Sequence, residues 1–361
     1  MRKIILTIFI SFLSTVIAFD STIPVLHLPD FYNESTRIDF LNNLEKAASE
    51  VGFFGLTGAG VDIDLLDRTY DQIIAYFDRD VNEKMAMKTN DGQRGYVPGE
   101  SAKGENRIDF KEFFHVGREL SKEELKKLKY CKNVWPESPA DFRSTMIDLF
   151  QAMDKCKDAL GDAITEILQQ SPGYINEMTR EGDCLMRAIH YPANPPDNAI
   201  WAGAHTDIDF LTILPRSTAK GLQVLNKEGN WIDVVVPNES LIINCGDMLE
   251  NLTNGYFKSS FHRVVDSGSG KERYSVVFFV HPRSDDHLDP LSFCIEKTGG
   301  IRKYANITRM ELLAERLIDL GLASSSLMEF FVQSGAIKKL KEVGRFSPKA
   351  EKTLLDAGFV F

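Results

Sequence analysis

Cysteine is scarce in this chain: five residues in 361, at Cys131, Cys156, Cys184, Cys245 and Cys294. Their number is odd and their spacing scattered, which excludes a disulfide scaffold and a zinc module built on cysteine pairs. No period recurs between Ser21 and Phe361, so repeat architectures are excluded, and no internal apolar run is long enough to span a membrane. Positive charge is also short: 42 Lys and Arg stand against 52 Asp and Glu, a formal net charge of -10. A general nucleic-acid binder needs a basic surface to neutralise phosphates, so no nucleic-acid partner is expected. A local basic pocket for a small acid remains compatible with that balance. Apolar residues are plentiful at 43 %, with 24 Phe, and 26 % of residues are charged. That composition builds a substantial core, as one large β unit with helical additions or as two to three domains.

The first residues are a separate object. Arg2 and Lys3 precede the apolar runs Ile4 to Ile10 and Phe12 to Phe19, and Val16 and Ala18 place small residues before a cut that leaves Phe19 first. This is the layout of a signal peptide over residues 1–18, and it predicts an exported protein, periplasmic or secreted, with no membrane span once the leader is removed. A cytoplasmic protein with an uncleaved leader is the alternative.

Periodicity organises the rest. A short strand is predicted around Ile23-Pro-Val-Leu-His-Leu28, then a helix with Ile38, Leu41, Leu44, Ala47, Ala48 and Val51 on one face. Gly52-Phe-Phe-Gly-Leu56 predicts a strand and Ile63 to Phe77 a second helix. Asn90 to Gly104 is polar and rich in glycine, and predicts a long loop whose Gly95-Tyr-Val-Pro98 centre folds over a site. Pro139 to Leu168 predicts the longest helix, its stripe of Phe142, Met146, Leu149, Met153, Leu160 and Ile164 being a packing face. From Asp183 the pattern turns to short strands at 185–191, 211–214, 221–225, 231–236, 241–244, 261–265 and 274–280. Many short strands without long helices between them predict an antiparallel sandwich or barrel. A helix over Arg309 to Leu320 and a last apolar segment end the chain. The resulting division is 21–170 as a helical and stranded amino-terminal region, 183–290 as the β core and 301–361 as a helical extension.

Chemistry concentrates in the β core. His205 and Asp207 stand two residues apart, so on extended backbone they share a face, and His262 returns after enough chain for several strands. Two imidazoles and one carboxylate leave open positions on an octahedral ion, the ligand set of non-haem Fe(II); zinc fits the same ligands but supplies no redox chemistry. Arg273 and Ser275 form another i, i+2 pair, at the start of a very apolar strand. A guanidinium there is a costly charge unless it meets an anion, ideally a carboxylate bound by both prongs of the fork, with Ser275 donating beside it. An internal salt bridge is the competing reading. The same alternation carries Phe279 and His281 towards a primary-substrate side, to which Phe210 is also assigned, with Arg94 and Tyr96 in the long loop as candidates for closing it.

Several segments follow one another in a telling order: Met186-Arg-Ala-Ile-His-Tyr-Pro192, Ala204-His-Thr-Asp-Ile-Asp-Phe-Leu-Thr-Ile-Leu214, Gly221-Leu-Gln-Val224, Asn244-Cys-Gly-Asp-Met248, Lys258-Ser-Ser-Phe-His-Arg-Val264 and Arg273-Tyr-Ser275. With Gly52-Phe-Phe54, Arg94-Gly-Tyr96 and Lys111-Glu-Phe-Phe114, they cover residues 21 to 322. The chain resembles the isopenicillin N synthase-like branch of the 2-oxoglutarate- and Fe(II)-dependent dioxygenases. The resemblance implies a mainly β fold with helical additions, namely a double-stranded β-helix (jelly-roll) core with helical amino-terminal and carboxy-terminal regions. It assigns His205, Asp207 and His262 to Fe(II), Arg273 and Ser275 to the distal carboxylate of 2-oxoglutarate, and Tyr191 to a further contact with that co-substrate. The asparagine that plant relatives carry two residues before this tyrosine is Ile189 here. The implied activity is oxidation, foremost hydroxylation, of a small-molecule substrate by O2, with release of succinate and CO2. Two alternatives stand beside it: an Fe(II) oxidase that uses no 2-oxoglutarate, and a catalytically silent exported metal-binding protein.

Overall fold

The structure, a computed structural model, describes residues 23–361 apart from 91, 100–107, 198 and 267. Residues 1–18, read above as a signal peptide, therefore lie outside the described residues. Strands β1 (Val25–His27), β2 (Phe53–Thr57), β3 (Gly95–Val97), β4 (Ile108–Asp109) and β5 (Glu112–Gly117) alternate with helices in the first part of the chain. They are followed by β6 (Leu185–Tyr191), β7 (Ala199–Ile200), β8 (Ala202–His205), β9 (Leu211–Leu214) and β10 (Leu222–Leu225). The set closes with β11 (Trp231–Asp233), β12 (Leu241–Cys245), β13 (His262–Val264) and β14 (Arg273–Val280).

Eight strands form a large sheet in the order β1-β2-β12-β9-β14-β6-β5-β3, and four form a smaller one, β11-β10-β13-β8. From β6 onward the chain passes back and forth between them: β6, β9, β12 and β14 in the large sheet, β8, β10 and β13 in the small one. That winding is the jelly roll. The amino-terminal region is continuous with the core, because β1, β2, β3 and β5 extend the large sheet at both ends.

The large sheet is covered on both faces, which is why its strands are apolar on successive residues rather than alternate ones. One face packs on the helix Phe142–Ile167, through residues such as Phe114, Met186, Val276 and Phe278. The other looks into the jelly roll, where Phe53, Phe113, Ile189, Tyr191, Trp201, Val264 and Val277 share a second cluster. The helix Ile63–Phe77 starts where sequence periodicity puts it, with the Asp62 side chain accepting from the Asp64 backbone N–H.

The long loop expected over 90–104 contains a strand. β3 pairs with β5, placing Gly95 opposite His115 and Tyr96 opposite Phe114. Three residues are too few for a period-2 pattern to show, so only the partner strand reveals them. The carboxy-terminal segment resolves into helices Arg309–Leu320, Ser325–Gln333, Ala336–Glu342 and Pro348–Asp356 around their own core of Ile307, Ala314, Ile318, Phe331, Ile337, Leu340 and Leu354. No helix among the described residues is long and apolar enough to cross a membrane.

Candidate active site

His205 closes β8 and His262 opens β13, and the two strands pair antiparallel with these residues directly opposite each other. The register shifts between this pair and the next, Val264 opposite Ala202. Without that bulge, Ala202 and His205 would fall on opposite faces; the extra residue resets the parity and turns His205 to the inner face with His262. The two rings lie 4.3 Å apart between centroids. Asp207 reaches between them from the turn after β8, its Oδ1 3.7 Å from His205 Nε2 and its Oδ2 3.6 Å from His262 Nε2. These side chains form the group among the described residues that offers ligand atoms mutually within 4.8 Å.

Each imidazole is aimed by its other nitrogen. His205 Nδ1 lies 2.7 Å from the Gly203 carbonyl and His262 Nδ1 3.2 Å from the Ser260 carbonyl. A carbonyl only accepts, so the proton sits on Nδ1 and both Nε2 lone pairs face the centre. Asp207 Oδ2 accepts from Asn244 Nδ2 at 2.9 Å and from Thr212 Oγ1 at 2.6 Å. Burial opposes ionisation of Asp207, but the two imidazoles and these donors outweigh it and hold its pKa below the usual carboxylate range. Thr212 Oγ1 also lies 2.9 Å from Asp209. A hydroxyl has one proton to give, and burial together with the Asp207 charge pushes Asp209 well above the carboxylate range. Thr212 can give its proton to only one of the two carboxylates, and the upward shift of Asp209 beside the ionised Asp207 favours Asp207 as the acceptor. Gly246 permits this packing, since a Cβ there would stand 2.0 Å from Asp209 Oδ1.

Arg273 and Ser275 lie on the inner face of β14, buried at 3 % and 2 % exposure. Arg273 Nε donates to the Ala219 carbonyl at 3.1 Å, another prong donates to Ser275 Oγ at 3.1 Å, and the guanidinium lies 4.9 Å from the centre of the Tyr191 ring. The strand register explains the last contact, because Tyr191 is directly opposite Arg273. Among the described residues no carboxylate meets this guanidinium, so the internal salt bridge considered from sequence is absent. A buried fork with no protein anion fits a ligand carboxylate.

Of the remaining sequence candidates, Phe279 and His281 fall on the inner face and three do not serve as expected. Phe210 is fully buried in the helix-side cluster, because the irregular turn between Asp207 and β9 breaks the strand alternation used to aim it. Tyr96 also points to the helix side, its hydroxyl bonded to Glu112. Arg94 is 2 % exposed and ion-paired to Asp183 at 2.6 Å, a fixed anchor and not part of a closing loop.

The structure adds residues that sequence alternation alone did not single out. Arg187, inner-facing on β6, lies over the rings of Phe113 and Phe279 at 4.2 and 5.3 Å. Its Nε donates to His115 Nε2 at 2.7 Å, while His115 Nδ1 lies 2.8 Å from the Gly92 carbonyl. With one nitrogen accepting and the other donating, His115 is neutral. Burial first, then the Arg187 charge, keeps its pKa well below 6.5. The unfolded chain takes up this proton near pH 6.5 and the folded one does not, so stability must fall as pH drops through that value. Melting temperature is expected to decrease between about pH 7.5 and about pH 5.5, with a shallower slope in His115→Gln. Equal slopes would show that His115 protonates in place.

The carboxy-terminal tail also reaches the metal ligands. Arg316 donates to Thr206 Oγ1 at 2.9 Å and pairs with Asp247, whose backbone N–H donates to the Asp207 carbonyl at 2.8 Å. Arg316→Ala is expected to weaken anaerobic Fe(II) binding about tenfold while leaving 2-oxoglutarate affinity in place, the size of loss typical of a residue that orients ligands. Unchanged iron affinity would reduce the tail to a packing role.

Comparison with known proteins agrees with this geometry. Residues 182–282 match the 2OG-Fe(II) oxygenase superfamily, and residues 23–138 match the N-terminal region of non-haem dioxygenases in morphine synthesis. The chain is 30% identical to a homoarginine-6-hydroxylase of Arabidopsis thaliana, over 80% of this chain and 91% of that protein. It is 32% identical to the 2-oxoglutarate-dependent dioxygenase citB of Monascus ruber, over 73% and 85% of the two chains. A 2OG-Fe(II) oxygenase family protein from Caulobacter crescentus superposes with a TM-score of 0.74 at 32% identity, covering 82% of this chain and 98% of that one. Full-length Neurospora crassa T7H, solved in complex with alpha-KG, gives 0.73 at 25% identity over 82% and 95%. The chain belongs to the 2OG-Fe(II) oxygenase superfamily and is a non-haem Fe(II)- and 2-oxoglutarate-dependent dioxygenase.

Proposed function

We propose that His205, Asp207 and His262 hold one Fe(II), that Arg273, Ser275 and Tyr191 seat the distal carboxylate of 2-oxoglutarate, and that the enzyme hydroxylates a small organic molecule and not a nucleic acid. The buried Arg273 guanidinium, with no carboxylate beside it among the described residues, is the observation that carries the co-substrate assignment. When bound, Fe(II) supplies the redox chemistry that couples O2 and the keto acid to substrate oxidation, which yields succinate and CO2. The protein's part is to bind, orient and exclude water. Gly203 and Ser260 fix the imidazole tautomers, and Asn244 and Thr212 fix the Asp207 carboxylate. Arg273 positions the keto acid by its far end and takes no part in bond making. Phe279 and His281 face the substrate side. The acidic balance of the chain supports a small-molecule substrate.

Succinate formation that requires both Fe(II) and 2-oxoglutarate, measured while screening amino acids, hormones and small carboxylates, tests this reading. Oxygen uptake that proceeds without the keto acid would overturn it. The leader composition supports export with cleavage after Ala18. Mass spectrometry of the natively expressed protein is expected to find Phe19 first, and an intact Met1 terminus in the cytosolic fraction would overturn that part alone.

A further inference from the structure

Three arginines among the described residues are buried: Arg94, Arg273 and Arg309. Arg94 is neutralised by Asp183. Arg273 awaits the keto acid. Arg309, 7 % exposed, meets no carboxylate within ion-pair distance among the described residues, and its Nε has no hydrogen-bond partner among them; the main anionic influence on it is Asp183, which is already paired with Arg94. Burying a guanidinium with only a shared anion nearby is expensive.

The position of Arg309 is set by backbone contacts. It is the first residue of the helix Arg309–Leu320, and its N–H donates to the Asp286 carbonyl, just beyond the end of β14. Arg273 begins β14 and His281 follows its last residue, so the two lie about 26 Å apart along the strand at ~3.3 Å per residue. Around His281 the unsatisfied groups gather. Its Nδ1 is buried without a hydrogen-bond partner among the described residues, as is Arg94 Nε. Arg94 lies flat on Gly117 of β5, where a Cβ would stand 2.2 Å from its guanidinium, so only glycine admits it to the inner face. After burial itself, the Arg309 charge is the main influence keeping His281 neutral, and Asp207 acts on the same ring, which ties this corner to the metal ligands.

We infer that the primary substrate is a small organic acid whose carboxylate is seated by Arg309 beside His281, at the opposite end of β14 from the 2-oxoglutarate clamp. Neutral His281 offers Nδ1 as a further hydrogen-bonding atom, and the Phe113 and Phe279 rings, bridged by Arg187, supply an apolar wall for the substrate body. Asp183 is ion-paired to Arg94 and its charge also acts on Arg309, so two buried guanidiniums share one carboxylate and the corner keeps an excess of positive charge. The inference rests on the dioxygenase reading, because Arg273 is the competing carboxylate site and must be filled first.

The test uses the enzyme loaded anaerobically with Fe(II) and saturating 2-oxoglutarate. Matched pairs of aliphatic and aryl monocarboxylic acids and their primary amides, hexanoate with hexanamide and 4-phenylbutyrate with 4-phenylbutyramide among them, are titrated by calorimetry and by the change in the iron–keto acid absorption band. Acids are expected to bind at least about tenfold tighter than their amides, as expected for a charge-assisted contact. In Arg309→Gln that preference disappears, while amide, Fe(II) and 2-oxoglutarate affinities stay as in the parent. In Arg309→Lys part of the preference returns. Acids that bind no better than amides, or a preference that survives in Arg309→Gln, would overturn the inference. Failure to bind Fe(II) and 2-oxoglutarate at all would instead strike the dioxygenase reading. Because the acid–amide comparison is made on the parent enzyme, the result does not depend on the variants folding.

Discussion

His262→Ala is expected to abolish succinate formation and weaken anaerobic Fe(II) binding by at least about tenfold, since a lost ligand costs no less than a lost ligand-orienting group. His262 lies directly across from His205, its Nδ1–H is held by the Ser260 carbonyl, and its Nε2 stands 3.6 Å from Asp207. Removing the ring leaves one imidazole and one carboxylate, which cannot hold the ion on one face of an octahedron. Packing is a smaller matter, because the ring meets Phe53 edge-on at 5.3 Å and the site opens at the half-exposed His205. Thermal denaturation of the metal-free variant should therefore stay near the parent while iron titration does not. An iron affinity equal to the parent's would remove His262 from the ligand set.

Arg273→Lys is expected to raise the 2-oxoglutarate concentration needed for half-maximal turnover about tenfold or more, with Fe(II) binding nearly intact. Lysine keeps the charge but loses the planar fork. In the structure one prong of that fork is spent on the Ala219 carbonyl and another on Ser275, so the guanidinium is already oriented before the ligand arrives. A lysine ammonium has no such orientation. Ser275→Ala should do less, about 1–2 kcal/mol for a single charge-assisted hydrogen bond. The measurement is the 2-oxoglutarate dependence of succinate formation with iron saturating. If Arg273→Lys left that dependence unchanged, the keto acid would be held elsewhere.

That His205, Asp207 and His262 converge was readable from residue type and order, as were the shared face of Arg273 and Ser275 and most of the strands that carry them. The helices Ile63–Phe77 and Arg309–Leu320 were readable to the residue, because long amphipathic periods announce themselves locally. Tyr96 and Phe210 were misplaced for the opposite reason. Each sits in a short or irregular stretch where alternation has no room to establish a face, and each went to the helix side, where a large apolar cluster was available.

By itself the sequence determined the dioxygenase class and the jelly roll through its order of motifs, and it nominated the residues proposed for the chemistry: His205, Asp207 and His262 for the metal, Arg273 with Ser275 for the anion. These depend on residue types and on spacings within single strands. The tertiary structure decided which residues complete the site. The bulge between β8 and β13 is what brings His205 onto the face of His262, and a bulge is a property of a strand pair and not of either strand. Asn244 reaches Asp207 from a strand 37 residues further on, Arg316 reaches the same turn from the tail, and the buried Arg309 is carried to the end of β14 by a helix whose own pattern gives no hint of it. Such contacts join segments far apart in sequence, so the packing of the two sheets and the tail alone fixes them.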